Sequence, residues 1–179
     1  MEVKWHGNTC FTIKGKDVRI VTNPDKEVKN LKADVVLSSI GEDIASVEGA
    51  KKIFTWPGEY EVNEALIVGL RAWTKSKSKE DEENGSEETI IFYFNVDGIR
   101  FCHLGDLGHV LTSDMVNEIG DVDVLMIRCG SNSNLEAKKA VEVIEEIDPR
   151  VLIPMGDGNF ETMLKELGVG NTETQDKLT

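Results

Sequence analysis

The sequence has 179 residues and is acidic, with 33 Asp and Glu against 20 Lys and Arg and a formal net charge of −13. This length corresponds to about one domain, and 40% hydrophobic residues are enough for a buried core. The charge argues against nucleic acid as a partner, because proteins bind phosphate backbones through clustered Lys and Arg. No run approaches the roughly 18 apolar residues of a membrane span, so no membrane partner is predicted.

The first half of the chain is predicted to be rich in strands. Short apolar or alternating runs are separated by Gly7-Asn8 and Gly15-Lys16, pairs that are typical of tight hairpin turns. The run at 34–37 is continuously apolar after its first residue, which suits a strand buried on both faces. The predicted strands are residues 3–6, 10–14, 18–22, 34–37, 52–55, 65–72, 89–96 and 100–104.

A polar segment interrupts this pattern. Residues 75–88 read KSKSKEDEENGSEE and contain no apolar residue, so they cannot bury surface against a core. We predict a flexible acidic loop at 75–88 between two strands. A lid or a docking loop is the alternative interpretation.

The second half alternates helices and strands. Thr112 to Asp114 offers a helix cap, and apolar residues at 137, 140, 141, 144 and 147 form a helical stripe that Pro149 ends. Strands are predicted at 122–127 and 151–154, and a short helix at 160–167. The pattern predicts one domain over residues 1–170 and a polar tail over 171–179.

The cysteines Cys10, Cys102 and Cys129 are widely spaced and form no disulfide or metal-finger pattern. Buried free thiols are the favoured interpretation for the first two, which lie in strand-like runs. Cys129 follows Arg128, and an adjacent cation lowers a thiol pKa, so Cys129 is a minor candidate for a reactive thiol. With no secretory signal at the N-terminus, these features predict a cytoplasmic setting.

Several segments, in order along the chain, resemble the metallo-β-lactamase superfamily. Residues 3–13 are similar to an opening hairpin of the form W-L-G-H-[AS]-[CT]-F, and residues 22–24 to a strand ending T-D-P. Residues 57–62 are similar to a turn and strand of the small ascorbate-phosphate-lactonase-like, Zn-dependent hydrolase-like branch. The resemblance continues through residues 97–109 and 137–155. It implies an α/β fold, a four-layer αββα sandwich of two mixed β-sheets flanked by helices.

The resemblance also locates a metal site, whose motif is degenerate in this chain. The superfamily motif HxHxDH follows the strand at 35–37, and its four ligand positions are occupied here by Ser39, Gly41, Asp43 and Ile44. The resemblance implies further ligands at the positions of Thr74, Asp106 and Gly156. First-shell zinc ligands are His, Asp, Glu or Cys, so only two carboxylates remain in what we interpret as a vestigial pocket.

Two carboxylates do not make a tight zinc site, and the predicted cofactor is therefore none. A weak Mg²⁺ or Ca²⁺ site is an alternative, since these ions take oxygen ligands. Without a metal, Asp43 and Asp106 would repel each other unless a nearby Lys or Arg compensates their charge. A second alternative is a relocated zinc site built from His103, Asp106 and His109, with Asp43 as a further partner, because three side chains are enough for catalytic zinc.

These observations predict a catalytically inactive pseudo-hydrolase that acts as a binding or assembly module. Its expected partner is an unidentified protein or a second copy of the chain in a homo-oligomer. Two alternatives remain open. One is a divergent metal-dependent hydrolase with a relocated or weak metal site around Asp106, and the other is a small-molecule sensor that uses the emptied pocket.

Overall fold

The computed structural model describes residues 1–41, 44–74, 87–129, 133–156, 160–169 and 177–178. Two mixed six-stranded sheets form the centre of the fold. The first sheet has the order β12-β1-β2-β3-β4-β5. Its strands are β1 (Glu2–Trp5), β2 (Phe11–Lys14), β3 (Arg19–Thr22), β4 (Val35–Leu37), β5 (Lys52–Phe54) and β12 (Lys177–Leu178).

The second sheet has the order β11-β10-β9-β8-β7-β6. Its strands are β6 (Gly58–Val62), β7 (Ala65–Trp73), β8 (Glu88–Val96), β9 (Ile99–His103), β10 (Val124–Arg128) and β11 (Val151–Met155). In each sheet three strands are joined by parallel pairing, β3-β4-β5 in the first and β9-β10-β11 in the second. The other neighbours pair antiparallel.

The main core lies between the two sheets. Alternating side chains of both sheets face each other there, and Phe11, Ile13, Phe92 and Phe101 are all at most 1% exposed. Phe94 and Phe101 stack with ring centroids 5.4 Å apart. Burial of this apolar surface is the main force that holds the sheets together, and it fixes the register of every strand that contributes to it.

The three described helices are α1 (Ser113–Ile119), α2 (Ala137–Ile147) and α3 (Glu161–Glu166). Thr112 caps α1 as predicted, because its side chain accepts a hydrogen bond from the amide of Met115. The predicted apolar stripe of α2 faces the second sheet, with Ala140, Ile144 and Ile147 buried. All three helices contribute side chains to a second apolar core, which lies between the helices and the second sheet.

The outer face of the first sheet is covered differently. Cys10, Val21, Leu31 and Ala33 form a small cluster there, against which Val28 and Val47 pack. In the described ranges this cover consists of loops and not of a helix. The predicted fold class, two mixed sheets flanked by helices, is confirmed, and the described helices lie on the second sheet alone.

Two predicted segments fall largely outside the described residues. Of the predicted acidic loop at 75–88, residues 75–86 lie outside, and Glu88 begins β8. Of the predicted tail at 171–179, only residues 177–178 are described, and they pair with β1 as β12. None of the described helices is long and apolar enough to cross a membrane.

Candidate active site

Polar residues gather where the parallel strands end. Asn23 follows β3, Ser39 lies just beyond β4, Asp106 follows β9, Arg128 ends β10 and Gly156 follows β11. The carboxyl ends of parallel strands are where open α/β sheets place their ligand sites. Three of these positions, 39, 106 and 156, belong to the predicted pocket.

Ser39 is part of a buried hydrogen-bond network with Asn23. The amide of Ser39 donates to Asn23 Oδ1 over 2.8 Å, and Asn23 Nδ2 donates to Ser39 Oγ over 2.8 Å and to Thr9 Oγ1 over 3.1 Å. All three residues are at most 6% exposed. Because a buried polar atom is costly when it lacks a partner, this network stabilises a serine and an asparagine at these positions.

The network continues across to the second sheet. The hydroxyl of Thr89 donates to the carbonyl of Ser39 over 3.2 Å and accepts from the amide of Asp106 over 3.2 Å. Thr89 is 1% exposed. The loop that carries Asp106 is therefore fixed to the loop that carries Ser39.

His103 lies behind this loop and is 1% exposed. Its Nδ1 accepts from the amide of Gly105 over 3.1 Å, so the proton of the neutral ring lies on Nε2, which donates to the carbonyl of Thr9 over 3.1 Å. Burial lowers the pKa of His103 to about 4. Both ring nitrogens are occupied in this arrangement, so His103 is a structural residue.

Asp106 is held by two side chains from the β10–α2 connection and the strand before it. Arg128 Nη1 donates to Oδ1 over 2.8 Å, and Asn134 Nδ2 donates to Oδ2 over 2.9 Å. The Asp106 and Arg128 side chains are 22% and 21% exposed, so the pair is accessible from solvent. The cation expected to compensate the predicted carboxylates is thus present beside Asp106.

Gly156 adopts a φ of +109°, in the left-handed region that favours glycine. A Cβ at this position would lie 3.4 Å from Arg128 Cγ and 3.8 Å from Arg128 Nε. The arginine side chain therefore occupies the space beside position 156. The amide of Gly156 donates to the carbonyl of Asn8, which ties this loop to the β1–β2 connection.

His109 is not available as a metal ligand at Asp106, because both of its ring nitrogens form hydrogen bonds with backbone groups. Its Nε2 accepts from the amide of Trp73 over 3.3 Å, and its Nδ1 donates to the carbonyl of Val110 over 2.7 Å. Thr74 pairs with Glu87, whose amide donates to the threonine hydroxyl over 3.0 Å. These bonds fix the ends of β7 and β8.

The relocated zinc site is not formed by the described side chains. Catalytic zinc needs three protein ligands, whereas no group of three His, Cys, Asp or Glu side chains converges among the residues that the structure describes. Of the seven predicted pocket positions, Asp43 lies outside the described residues. Gly41 offers only its backbone, whose carbonyl accepts from the Ser38 hydroxyl, and Ile44 is apolar.

The cysteines are also unsuited to catalysis. Cys10, Cys102 and Cys129 are at most 2% exposed, and burial raises the pKa of Cys10 to about 11 and that of Cys129 to about 12. Burial also raises the pKa of Cys102. Arg128 is paired with Asp106, and it does not activate the neighbouring thiol.

A cleft of about 200 Å³ borders the Asn23 network. Thr9 and Asn23 form part of its wall, with Pro24, Asp25 and Ile40. Asp106 is not among the residues that line this cleft.

Arg128, Asn134, Asn23 and Thr89 were not predicted as members of the site. Their roles depend on contacts between segments far apart in sequence, such as Asn23 with Ser39 and Thr89 with Asp106. The available signal was the expected repulsion near Asp106, which called for a Lys or Arg. It did not distinguish Arg128 from the other basic residues.

Comparison with known proteins places this arrangement in a family. The profile of the β-lactamase superfamily domain matches residues 2–156. Metal-dependent hydrolases of Thermoplasma acidophilum and Archaeoglobus fulgidus are each 24% identical, covering 90% and 93% of this chain and 85% and 87% of their own length. A solved structure from Thermotoga maritima, described as a proposed Zn-dependent hydrolase of the metallo-β-lactamase superfamily, has 30% identity and a TM-score of 0.82. The similarity covers 99% of this chain and 91% of that one.

These relatives correct the functional prediction. The prediction of an inactive binding or assembly module is wrong. The similarity covers nearly the whole length of these relatives, and they are named as metal-dependent hydrolases. The expectation of no metal cofactor finds no support for the same reason. The loss of ligand side chains at 39, 41, 44, 74 and 156 misled the prediction, since it was taken to mean loss of the reaction.

The match over residues 2–156, together with two mixed sheets whose parallel strand ends carry Asp106, shows that this chain belongs to the β-lactamase superfamily.

Proposed function

We propose that this chain is a hydrolase of the superfamily, that its reaction takes place at the strand ends around Asp106, and that it depends on a divalent metal. Asp106 carries the proposal, because among the described pocket positions only this one has a His, Asp, Glu or Cys side chain, the residue types that bind zinc or accept a proton from water. The names of the relatives support the reaction class and the metal. Zinc is the first ion to test.

The conformation described here does not offer a complete metal site. Both Asp106 oxygens accept hydrogen bonds from side chains, and both histidines use their ring nitrogens elsewhere. What the chain itself supplies is an anchored carboxylate near solvent. The amide of Asp106 is fixed by Thr89, and the residue before it is fixed by the Gly105–His103 bond, so the carboxylate is held in place for orienting water against a substrate.

The test is a hydrolysis assay on the purified full chain, supplied with zinc, manganese or no metal, using phosphodiester, lactone and β-lactam substrates. We expect metal-stimulated hydrolysis of at least one class and its loss in Asp106→Asn. The matched control is Asp121→Asn, because Asp121 also pairs with an arginine but has a side chain that is 87% exposed on the surface. Absence of hydrolysis with every metal, or full activity in Asp106→Asn, would contradict the proposal.

A further inference from the structure

One side of the sandwich is formed by the last strand of each sheet. β5 ends the first sheet and β6 ends the second, and each pairs with one neighbour only. The two strands lie on the same side, because the rings of Phe54 and Tyr60 stack with centroids 3.8 Å apart. We refer to residues 51–62 as the β5–β6 edge. We propose that this edge is the interface of a dimer, in which two copies of the chain are related by a two-fold axis.

The first argument is the apolar surface that this edge exposes. Trp56 is 66% exposed, the highest value among the large apolar side chains of the described residues, and Ile53 is 55% exposed. Leu66, which lies opposite Glu61 in the ladder of β6 and β7, is 56% exposed. Neighbouring exposed apolar side chains mark interaction sites, and tryptophan is enriched among the residues that contribute most of the binding energy of protein interfaces.

The second argument is that Trp56 stands on a rigid base. The hydroxyl of Tyr60 donates to the carbonyl of Trp56 over 2.8 Å, and the ring of Tyr60 is itself stacked on Phe54. A Cβ on Gly69 would lie 3.1 Å from the same carbonyl, so the connection between β5 and β6 packs closely against β7. Because its backbone is already fixed, Trp56 loses less conformational entropy when it is buried by a partner.

The third argument identifies the partner as a second copy. Lys51 and Lys52 lie on the β5 side of the edge, Glu59 and Glu61 lie on the β6 side, and all four are exposed. In the described part of the chain none of these side chains has an ion-pair partner. A two-fold axis through the middle of the edge exchanges its two sides. It therefore brings the lysines of each copy to the glutamates of the other, so the surface is complementary in charge to itself.

The charges also determine how the two copies meet. Lysine on an edge strand discourages another strand from pairing with it, and β5 has only three residues. The copies therefore meet through side chains and do not continue a sheet. Since the net charge is −13, two copies repel each other at long range, so association needs a surface on which opposite charges face each other.

The experiment is sedimentation velocity of the full chain at increasing concentration and low salt. The lysine-reversed variant carries Lys51→Glu and Lys52→Glu, and the glutamate-reversed variant carries Glu59→Lys and Glu61→Lys. In either variant alone, like charges would face each other across the two-fold axis. In an equimolar mixture of the two variants, a mixed dimer restores opposite charges at both contacts.

Two matched controls accompany these variants. Lys14→Glu with Lys16→Glu makes the same change of charge at exposed residues beside the β2–β3 turn, outside the edge. Ile53→Ser tests the apolar part of the contact, and Ile40→Ser is its control, because both isoleucines are 55% exposed. Circular dichroism checks that every variant is folded.

We expect the mass of the wild type to rise from that of one chain to that of two as the concentration increases. Each reversed variant should remain a single chain where the wild type is a dimer, and the mixture of the two should form the dimer again. Ile53→Ser should weaken association at least about tenfold, because both copies lose an apolar contact. Both controls should match the wild type.

A single chain at every concentration up to about 200 μM, a range that includes weak interfaces, would overturn the inference. So would a dimer that survives both charge reversals, or a mixture of the two variants that stays monomeric. The measurement uses neither metal nor substrate, and the inference does not depend on the proposed hydrolysis.

Discussion

Gly105 lies directly against Ser39, at the contact between the two loops of the site. A Cβ on Gly105 would be 2.9 Å from both Cβ and Oγ of Ser39, and 2.7 Å from the carbonyl oxygen of Ile90. The φ of Gly105 is +59°, in the region that glycine tolerates best. Position 39 therefore has room for a serine only because position 105 has no side chain.

Substitution of Gly105 by Ala should lower the free energy of unfolding by about 2–5 kcal/mol, the sum of the conformational penalty and of overpacking in a buried place. The matched control is Gly98→Ala. Gly98 also has a positive φ, of +80°, but a Cβ there would meet nothing within 4 Å, so only the conformational cost of about 1–2 kcal/mol remains.

Urea denaturation of the two variants and the wild type measures both values. If Gly105→Ala is no less stable than Gly98→Ala, then the contact with Ser39 and Ile90 is not a constraint on the site.

Much of the fold was predictable because it depends on local patterns. The alternation of β2 and the apolar stripe of α2 follow from which faces these elements bury, and Thr112 capped its helix as a Thr-Ser-Asp sequence predicts. The site was less predictable for a physical reason. Its bonds join residues such as Thr89 and Ser39, which are 50 positions apart, and the sequence does not indicate which distant polar groups will meet.

The absence of ligand residues was weak evidence about the activity of this chain. Ser39 and Gly156 have no zinc-binding side chain. However, the sequence could not reveal that Arg128 takes the space beside Gly156 and pairs with Asp106. The inference from missing ligands to missing activity was a step that the residues alone did not support.

The Arg128–Asp106 pair should contribute more to stability than an exposed ion pair. Its side chains are only 21% and 22% exposed, so solvent screens the pair less than it screens Lys32–Glu48, whose side chains are 57% and 69% exposed. A double-mutant cycle with Arg128→Gln and Asp106→Asn should give a coupling of about 1 kcal/mol or more, against about 0.5 kcal/mol or less for Lys32→Gln and Glu48→Gln.

Both cycles are measured by urea denaturation at low salt. A coupling for Arg128–Asp106 no larger than that of the exposed pair would mean that the guanidinium is only loosely associated with the carboxylate.

His103 should make the protein less stable as the pH falls toward 5. Burial lowers its pKa from 6.5 to about 4, so between these values the unfolded state binds more protons than the folded state. The free energy of unfolding contributed by this residue is therefore fully present above pH 6.5 and is lost as the pH falls. Each unit corresponds to about 1.4 kcal/mol, or roughly 2 kcal/mol between pH 7 and pH 5.

Urea denaturation at pH 7 and pH 5 measures this loss. In His103→Gln the loss between the two pH values should be clearly smaller, although the variant is less stable at both. His6→Gln is made in parallel, because His6 is the other histidine whose pKa is lowered, by partial burial and by Lys4, and the two contributions are then measured separately. If His103→Gln shows the same pH dependence as the wild type, then His103 is not the group that titrates.

The thiols should be unreactive in the folded protein. Cys10, Cys102 and Cys129 are at most 2% exposed, and burial raises the pKa of each, to about 11 for Cys10 and about 12 for Cys129. A thiolate is the species that attacks a disulfide reagent, so both access and ionisation oppose the reaction at pH 8.

Treatment with Ellman's reagent at pH 8 should therefore release almost no thiol from the native chain, and all three after denaturation in guanidinium chloride. Ser113→Cys, at an exposed position that begins α1, should add one rapidly reacting thiol and so confirm that the assay detects accessible cysteine. One rapidly reacting thiol in the native wild type would show that a buried cysteine opens to solvent. If that thiol were Cys129, the strand end that carries Arg128 would be less rigid than the ladder with β11 implies.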